Sequence, residues 1–234
     1  MLIQVQGLRV SYGNTEVLHG IDLEIQEGQF VSIVGKSGCG KSTLLLALAS
    51  FVPHDGAVEF PADFGMVFQN YAVFPWMTVR DNIAFGLSKL PAVERATVVD
   101  KHLVLVGLES HANKYPSQLS GGQAQRVALA RALAANPKVI LMDEPFGALD
   151  NFTRSQMQQW LAGVWQNDHK TVVLVTHNIE EAIFLSDRII LMDKGEIEGD
   201  VEVDLQRPRA SELKFSTGFV DLRRSILERF GQGV

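Results

Sequence analysis

The chain has 234 residues, 46% of them hydrophobic and 21% charged, with a net charge of −6. This is the composition of a globular domain with a sizeable core, and its acidic balance argues against a nucleic-acid-binding body, which is usually basic. The single cysteine excludes an intrachain disulfide and suits a reducing cytoplasmic setting.

In chain order, residues 2–5, 8–12, 21–25 and 30–34 read as strands, punctuated by Gly13-Asn14 and Glu27-Gly28. The start of the chain lacks the basic stretch and apolar core of a signal peptide. A helix is predicted from 41 to about 50, stopping before Pro53, with short strands at 58–60 and 65–68. Its segment 44–52 is among the longest apolar runs and is too short to span a bilayer, so any membrane role comes through a partner. Residues 70–135 hold helical patterns broken by Pro75, Pro91, Gly107 and Pro116, and Asn136-Pro137 ends the last of them. Apolar runs at 139–142, 172–175 and 188–192 are buried parallel strands by pattern. Asp193-Lys194-Gly195 turns into a terminal hairpin strand, 196–203, and a mixed tail from 204 ends in a helical stretch, 217–230. The expectation is an α/β core made of 1–69 and 136–203, a helical insert at 70–135 and a C-terminal tail at 204–234.

Gly35-Lys36-Ser37-Gly38-Cys39-Gly40-Lys41-Ser42-Thr43 fits G-x-x-x-x-G-K-[ST] between a strand and a helix. Its glycines let backbone N–H groups turn inward around a phosphate. Lys41 reaches β- and γ-phosphates in such a loop, and the Ser42 hydroxyl holds Mg²⁺. Cys39 is either a small filler or a thiol whose alkylation blocks the loop. The apolar strand 139–142 ends in Asp143-Glu144. Ligands of open parallel sheets bind beyond the carboxyl ends of strands, which places Asp143 for the Mg²⁺ shell and Glu144 for polarising an attacking water.

Leu119-Ser120-Gly121-Gly122-Gln123 opens another helix. Ser120 caps it, and two glycines leave N–H groups bare at a positive helix end, a second anion site. Three side chains stay open on position alone. His177 follows an apolar strand and is either an ordinary histidine or a group at the γ-phosphate edge. Gln69 is either a plain polar strand end or a contact to Mg²⁺ and water at a hinge. Tyr12 is either an exposed strand tyrosine or a platform for adenine. Phe74, Pro75, Trp76 and Met77 either fill the insert's own core or form a patch that receives a partner.

The ordered set Tyr12; 35–43; Gln69; 119–123; 139–144; Ala148-Leu149-Asp150; His177 resembles the ATP-binding subunits of ABC transporters, over nearly the whole chain. The resemblance implies an ABC ATPase of P-loop NTPase fold, with an N-terminal antiparallel β subdomain and an inserted α-helical subdomain. It implies ATP and Mg²⁺ as ligands. Glu144, His177, Lys41 and Gln69 would serve catalysis, Ser42, Gln69 and Asp143 the metal. Tyr12, Gly35, Ser37, Gly38, Cys39, Gly40, Lys41, Ser42, Thr43, Ser120, Gly122 and Gln123 would hold the nucleotide. It further implies a head-to-tail homodimer in which Ser120 and Gly122 of one copy touch the γ-phosphate held by Lys41 of the other.

Val67-Phe68-Gln69-Asn70, the stretch from Phe74 to Leu87, Asp143-Glu144-Pro145-Phe146-Gly147-Ala148-Leu149-Asp150 and Arg207-Pro208-Arg209 are similar to nitrate/sulfonate/taurine importers. In that group a permease pair docks on the ATPase at the cytoplasmic membrane face, and a binding protein delivers the solute. Sulfonates, taurine, nitrate and vitamin precursors all fit. Lys36 departs from the proline of many relatives at a position that contributes mainly its backbone. Segment 54–66 is shorter than usual, which implies a missing hairpin or loop. Regulation by an added domain of the maltose type is not expected. The other readings are a soluble ABC ATPase acting on DNA or ribosomes, and a non-hydrolysing scaffold. The acidic balance opposes the first, and intact Lys41, Asp143, Glu144 and His177 oppose the second.

Overall fold

The computed structural model describes residues 1–147, 149–168 and 170–231. The strands are β1 (Ile3–Tyr12), β2 (Thr15–Ile25), β3 (Phe30–Gly35), β4 (Asp55–Glu59), β5 (Phe64–Val67), β6 (Val139–Asp143), β7 (Thr171–Thr176), β8 (Arg188–Asp193) and β9 (Glu196–Glu202). The helices are α1 (Lys41–Leu48), α2 (Val79–Ala84), α3 (Ala92–Val106), α4 (Gly121–Ala134), α5 (Asn151–Asp168), α6 (Ile179–Leu185) and α7 (Thr217–Gly231). Packing groups them into two compact units, Met1–Ala62 with Arg154–Val234, and Asp63–Thr153.

In the first unit β1 lies between β2 and β4, antiparallel to both. The sequence pattern reads β1 as two pieces, and the structure shows why. Ile3 and Val5 face inward at period two, but Leu8 and Val10 keep the same face only because the register shifts at Gln6-Gly7. Gly7 takes φ +59, and its N–H donates to Asp22 Oδ1 at 2.7 Å. Across from it, a Cβ on Gly56 would lie 2.5 Å from the Gly7 carbonyl oxygen, so β4 approaches this closely only with glycine there. Strand β2 begins earlier than its apolar run, because its first residues, Thr15 and Glu16, point to solvent.

The second sheet of this unit runs β7-β3-β8-β9. Strands β3 and β7 are buried at every position, as continuous apolar strands of a parallel sheet are. Strand β9 closes the sheet antiparallel to β8 through the Lys194-Gly195 turn, where both residues have positive φ. The register decides the site: Val34 pairs with Thr176, so the chain leaves β3 at Gly35 beside the point where it leaves β7 at His177. Helices α5 and α6 lie in stretches for which the pattern above indicates no helix. The exposed positions of α5 mix Asn151, Phe152, Gln156, Gln159 and Gly163, and α6 has only seven residues.

The tail is strapped to the same unit. Arg209 is 5% exposed, and its guanidinium donates to the carbonyls of Ile183, Phe184 and Ser186 at the end of α6 and to Leu205. It thus answers the orphan carbonyls of a helix C-terminus. Burial lowers its pKa to about 10. Arg207 bonds Asp187 at 2.8 Å and stacks over the Trp165 ring at 4.1 Å.

In the second unit β5 and β6 pair in parallel. A Cβ on Gly65 would lie 2.9 Å from the Ala132 carbonyl, so helix α4 packs against a strand position that admits no side chain. Thr78 and Asp81 form a capping box on α2, and Gly107, at φ +65, ends α3. Helix α4 is buried along Val127–Ala130 and stops at Asn136, which takes φ 52 before Pro137.

Candidate functional site

The phosphate-type loop has the geometry that its glycines require. Gly38 and Gly40 take φ of +80 and +103, and Gly40 caps α1 with no side-chain hydrogen bond, so the first-turn N–H groups of α1 face the loop. A Cβ on Gly35 would lie 2.2 Å from the Met192 carbonyl and 2.6 Å from Cys39 Sγ. Lys41 is 5% exposed, and its ammonium donates to the carbonyls of Gly35 at 2.9 Å and Lys36 at 2.8 Å. Ser37, Gly38 and Ser42 are exposed, and Thr43 is half-buried. Cys39 is buried, and burial pushes its thiol above the ordinary range, which makes it a slow nucleophile. Lys36 lies exposed at the loop's edge.

His177 is exposed directly after β7. With Val34, Gly35, Lys36 and Ile179 it lines a cavity of about 170 Å³, whose other wall is Leu227 and Phe230 of α7. The structure therefore brings His177 to the phosphate loop, which position in the sequence left open. Tyr12 is 49% exposed at the end of β1, beside the Gly13 turn.

The second unit carries the remaining candidates. Asp143 is the last residue of β6, and Glu144 follows at φ 42, a strained conformation for a glutamate that turns the chain sharply after the strand. Gln69 is exposed in the turn after β5. Ser120 caps α4: its Oγ accepts from the Gln123 N–H at 3.3 Å, and Gln123 Oε1 accepts from the Ser120 N–H at 2.9 Å. The other end of the Gln123 amide meets His111 Nε2 at 3.2 Å, so Gln123 acts by holding the cap. Gly121 is exposed with open space at its Cβ position, whereas a Cβ on Gly122 would lie 2.8 Å from Thr153 Cγ2. The exposed start of α4 is thus a bare helix N-terminus with a hydroxyl beside it. Asp150 accepts the N–H groups of Phe152 and Thr153, both at 3.0 Å, which caps α5 and lowers its pKa. Ala148, between these motifs, lies outside the described residues.

Phe74 does not disappear into a core. Trp76 is 70% exposed and Phe85 55%, and both rings pack on Phe74, with centroids at 5.5 and 4.5 Å. Arg131 caps the cluster, 5.1 Å from the Phe74 centroid. Fully buried Asn82 builds this surface: it accepts the Phe74 N–H at 2.8 Å and donates to the carbonyls of Phe74, Met77 and Thr78. Sequence reasoning passed over Asn82, since one amide in a helical pattern carries no signal. It also passed over Gln125, whose buried Nε2 donates to the Pro145 carbonyl just after Glu144.

A profile of the ABC transporter family matches residues 18–147. The chain belongs to the ABC transporter family. It is 47% identical, over 97% of its length, to a bicarbonate transport ATP-binding protein of Synechococcus elongatus, and spans 38% of that protein. It is 44% identical, again over 97% of its length, to an aliphatic sulfonates import ATP-binding protein of Agrobacterium fabrum, of which it spans 88%. Among solved structures it is similar to a dimeric post-hydrolysis state of an ATP-binding cassette bound to ADP and Pi. That match has a TM-score of 0.77 and 34% identity, covering 88% of this chain and 100% of the other. The fold is therefore the ABC cassette, an α/β P-loop NTPase core.

Proposed function

We infer that the chain is the ATP-hydrolysing subunit of an ABC importer for a small solute. One observation carries this: the β3–β7 register sets the exposed His177 beside a glycine-shaped phosphate loop with a buried lysine. Relatives named as ATP-binding proteins of bicarbonate transport and of aliphatic sulfonates import support a small solute, of the sulfonate, taurine or nitrate type. The reading keeps the chain peripheral, at the cytoplasmic face of the membrane, and no helix among the described residues is long and apolar enough to cross one. The net charge of −6 does not favour the alternative of a DNA- or ribosome-directed ATPase.

ATP would lie with its phosphates in the 35–43 loop and its adenine on Tyr12. The residues present fit it: positive-φ glycines leave room for the phosphates, and Lys41 needs only to exchange two loop carbonyls for phosphate oxygens. Ser42, Asp143 and Gln69 are the donors for Mg²⁺. The ion would supply neutralisation of developing charge on the phosphates. Glu144 orients and deprotonates the attacking water, and His177 and Lys41 stabilise the oxygens that gain charge. Ser120 and Gly122 of a second copy complete the cage, so each site is half of one chain and half of another. The aromatic surface around Trp76 receives the permease, which in turn meets the substrate-binding protein.

The test is complementation. Lys41→Ala and Ser120→Arg chains should each be inactive as ATPases. Mixed, they should recover a substantial part of the wild-type rate, because one composite site per mixed dimer is intact. A mixture as inactive as its components would refute the head-to-tail arrangement.

A further inference from the structure

Glu181 is the unexpected charge beside this site. It sits in the first turn of α6, 3% exposed. Its carboxylate accepts from Gln158 Nε2 of α5 at 3.1 Å and is hydrogen-bonded to the Thr176 hydroxyl at the end of β7. Thr176 Oγ1 in turn accepts the Asn178 N–H at 3.0 Å, and Asn178 Oδ1 accepts the Glu181 N–H at 3.1 Å. Thr176 and Asn178 are the two residues flanking His177. The first turn of α6 and the end of β7 are therefore tied together on both sides of that histidine by one buried acid.

We propose that Glu181 is a positioning residue for His177, its ionised carboxylate taking the Thr176 hydroxyl as a donor and so locking the peptide that carries the imidazole. The inference rests on the role given to His177 above. With the carboxylate charged, the Thr176 proton points to Glu181, and an oxygen lone pair remains for the Asn178 N–H. Once Glu181 is protonated, it donates to Thr176 instead. The Thr176 hydroxyl proton then loses its acceptor, and the clamp loosens.

The charges that face Glu181 decide how easily this happens. Arg154 of α5 and His177 favour the carboxylate. Lys214, from the 3₁₀ turn Ser211–Phe215, donates to Gln158 Oε1 at 3.1 Å and feels both Glu180 and Glu181. Burial opposes them and pushes Glu181 up to about 7. A pH change near neutrality therefore switches the clamp. The tail enters the same chain of bonds through Lys214 and Gln158.

The experiment measures phosphate release by the full chain with ATP and Mg²⁺, at concentrations that favour the dimer, across about pH 6 to 8.5. The kcat of the wild-type chain should rise through about 7. Glu181→Gln should lack that rise and run about tenfold slower at the alkaline end, less than the ~100-fold that an ångström of misplacement can cost. Its KM for ATP should be unchanged, since no atom of Glu181 belongs to the nucleotide site. Thr176→Val, which keeps the acid and removes its link, should show the same loss of kcat at unchanged KM. A Glu181→Gln chain with wild-type kcat and pH profile, beside an inactive His177→Ala chain, would overturn the role of Glu181 alone. A fully active His177→Ala chain would overturn the reading of His177 and this inference with it.

Discussion

Burial holds Glu181 at a pKa of about 7, against 4.5 for the free side chain. The folded state thus keeps a proton that the unfolded chain has already released. Stability from this group is complete below about pH 4.5, falls as pH rises to about 7, and is then flat. The loss approaches ~3 kcal/mol, from 1.36 kcal/mol per pKa unit. Glu181→Gln should therefore melt at a higher temperature than the wild type at pH 8, with the gap closing toward pH 5. A gap independent of pH would contradict it. A residue that weakens the fold while sitting beside the reactive edge is the pattern of a functional group. At this scale the motif residues were legible, because Gly35, Gly40, Lys41 and Ser120 each have a local reason for their type. Glu181, Asn82 and Gln125 were not legible. Glu180 and Glu181 read as ordinary acids in a first helical turn, and only the packing of α5 and β7 shows that one of them is buried.

The segment from Phe74 to α2 shows how an element makes a surface. Asn82 satisfies the Phe74 N–H and three carbonyls of a stretch with no regular ladder, and the fixed backbone then holds Phe74, Trp76 and Phe85 outward. Two variants should separate the support from the surface. Asn82→Ala leaves buried backbone groups unpaired and should lower unfolding free energy by about 2 kcal/mol or more in urea titrations. Trp76→Glu changes an exposed side chain and should leave stability within about 0.5 kcal/mol. It should nonetheless abolish co-purification with the permease. A Trp76→Glu chain that still co-purifies would remove the docking role. The continuous apolar strands, the glycine and proline stops and the 217–230 helix were readable here. The bulge in β1 and helices α5 and α6 were not, since each depends on which face finds a neighbour.

The candidate residues fall in two compact units. One carries the phosphate loop, Tyr12, His177 and the clamp behind it. The other carries Asp143, Glu144, the exposed start of α4 and the aromatic surface. The proposed composite site draws on both units and on a second copy, and the cassette to which the chain is similar is itself dimeric. Hydrolysis should accordingly depend on chain concentration. The rate per chain should fall on dilution through the dissociation range and recover on concentration, followed by phosphate release alongside light scattering. A rate per chain constant across that range would mean that a monomer suffices.

The linear chain by itself determined which candidate groups are present: glycines at positions that need positive φ, one lysine at a helix start, a serine cap before two glycines, and two acids at a strand end. These follow from local backbone chemistry, which neighbours in sequence dictate. Only tertiary structure decided that His177 stands beside Gly35, that Trp76 is solvent-facing rather than core, and that Glu181 is buried behind the histidine. Strand register, side-chain burial and desolvation are set by residues far apart in the chain, and no local pattern encodes them.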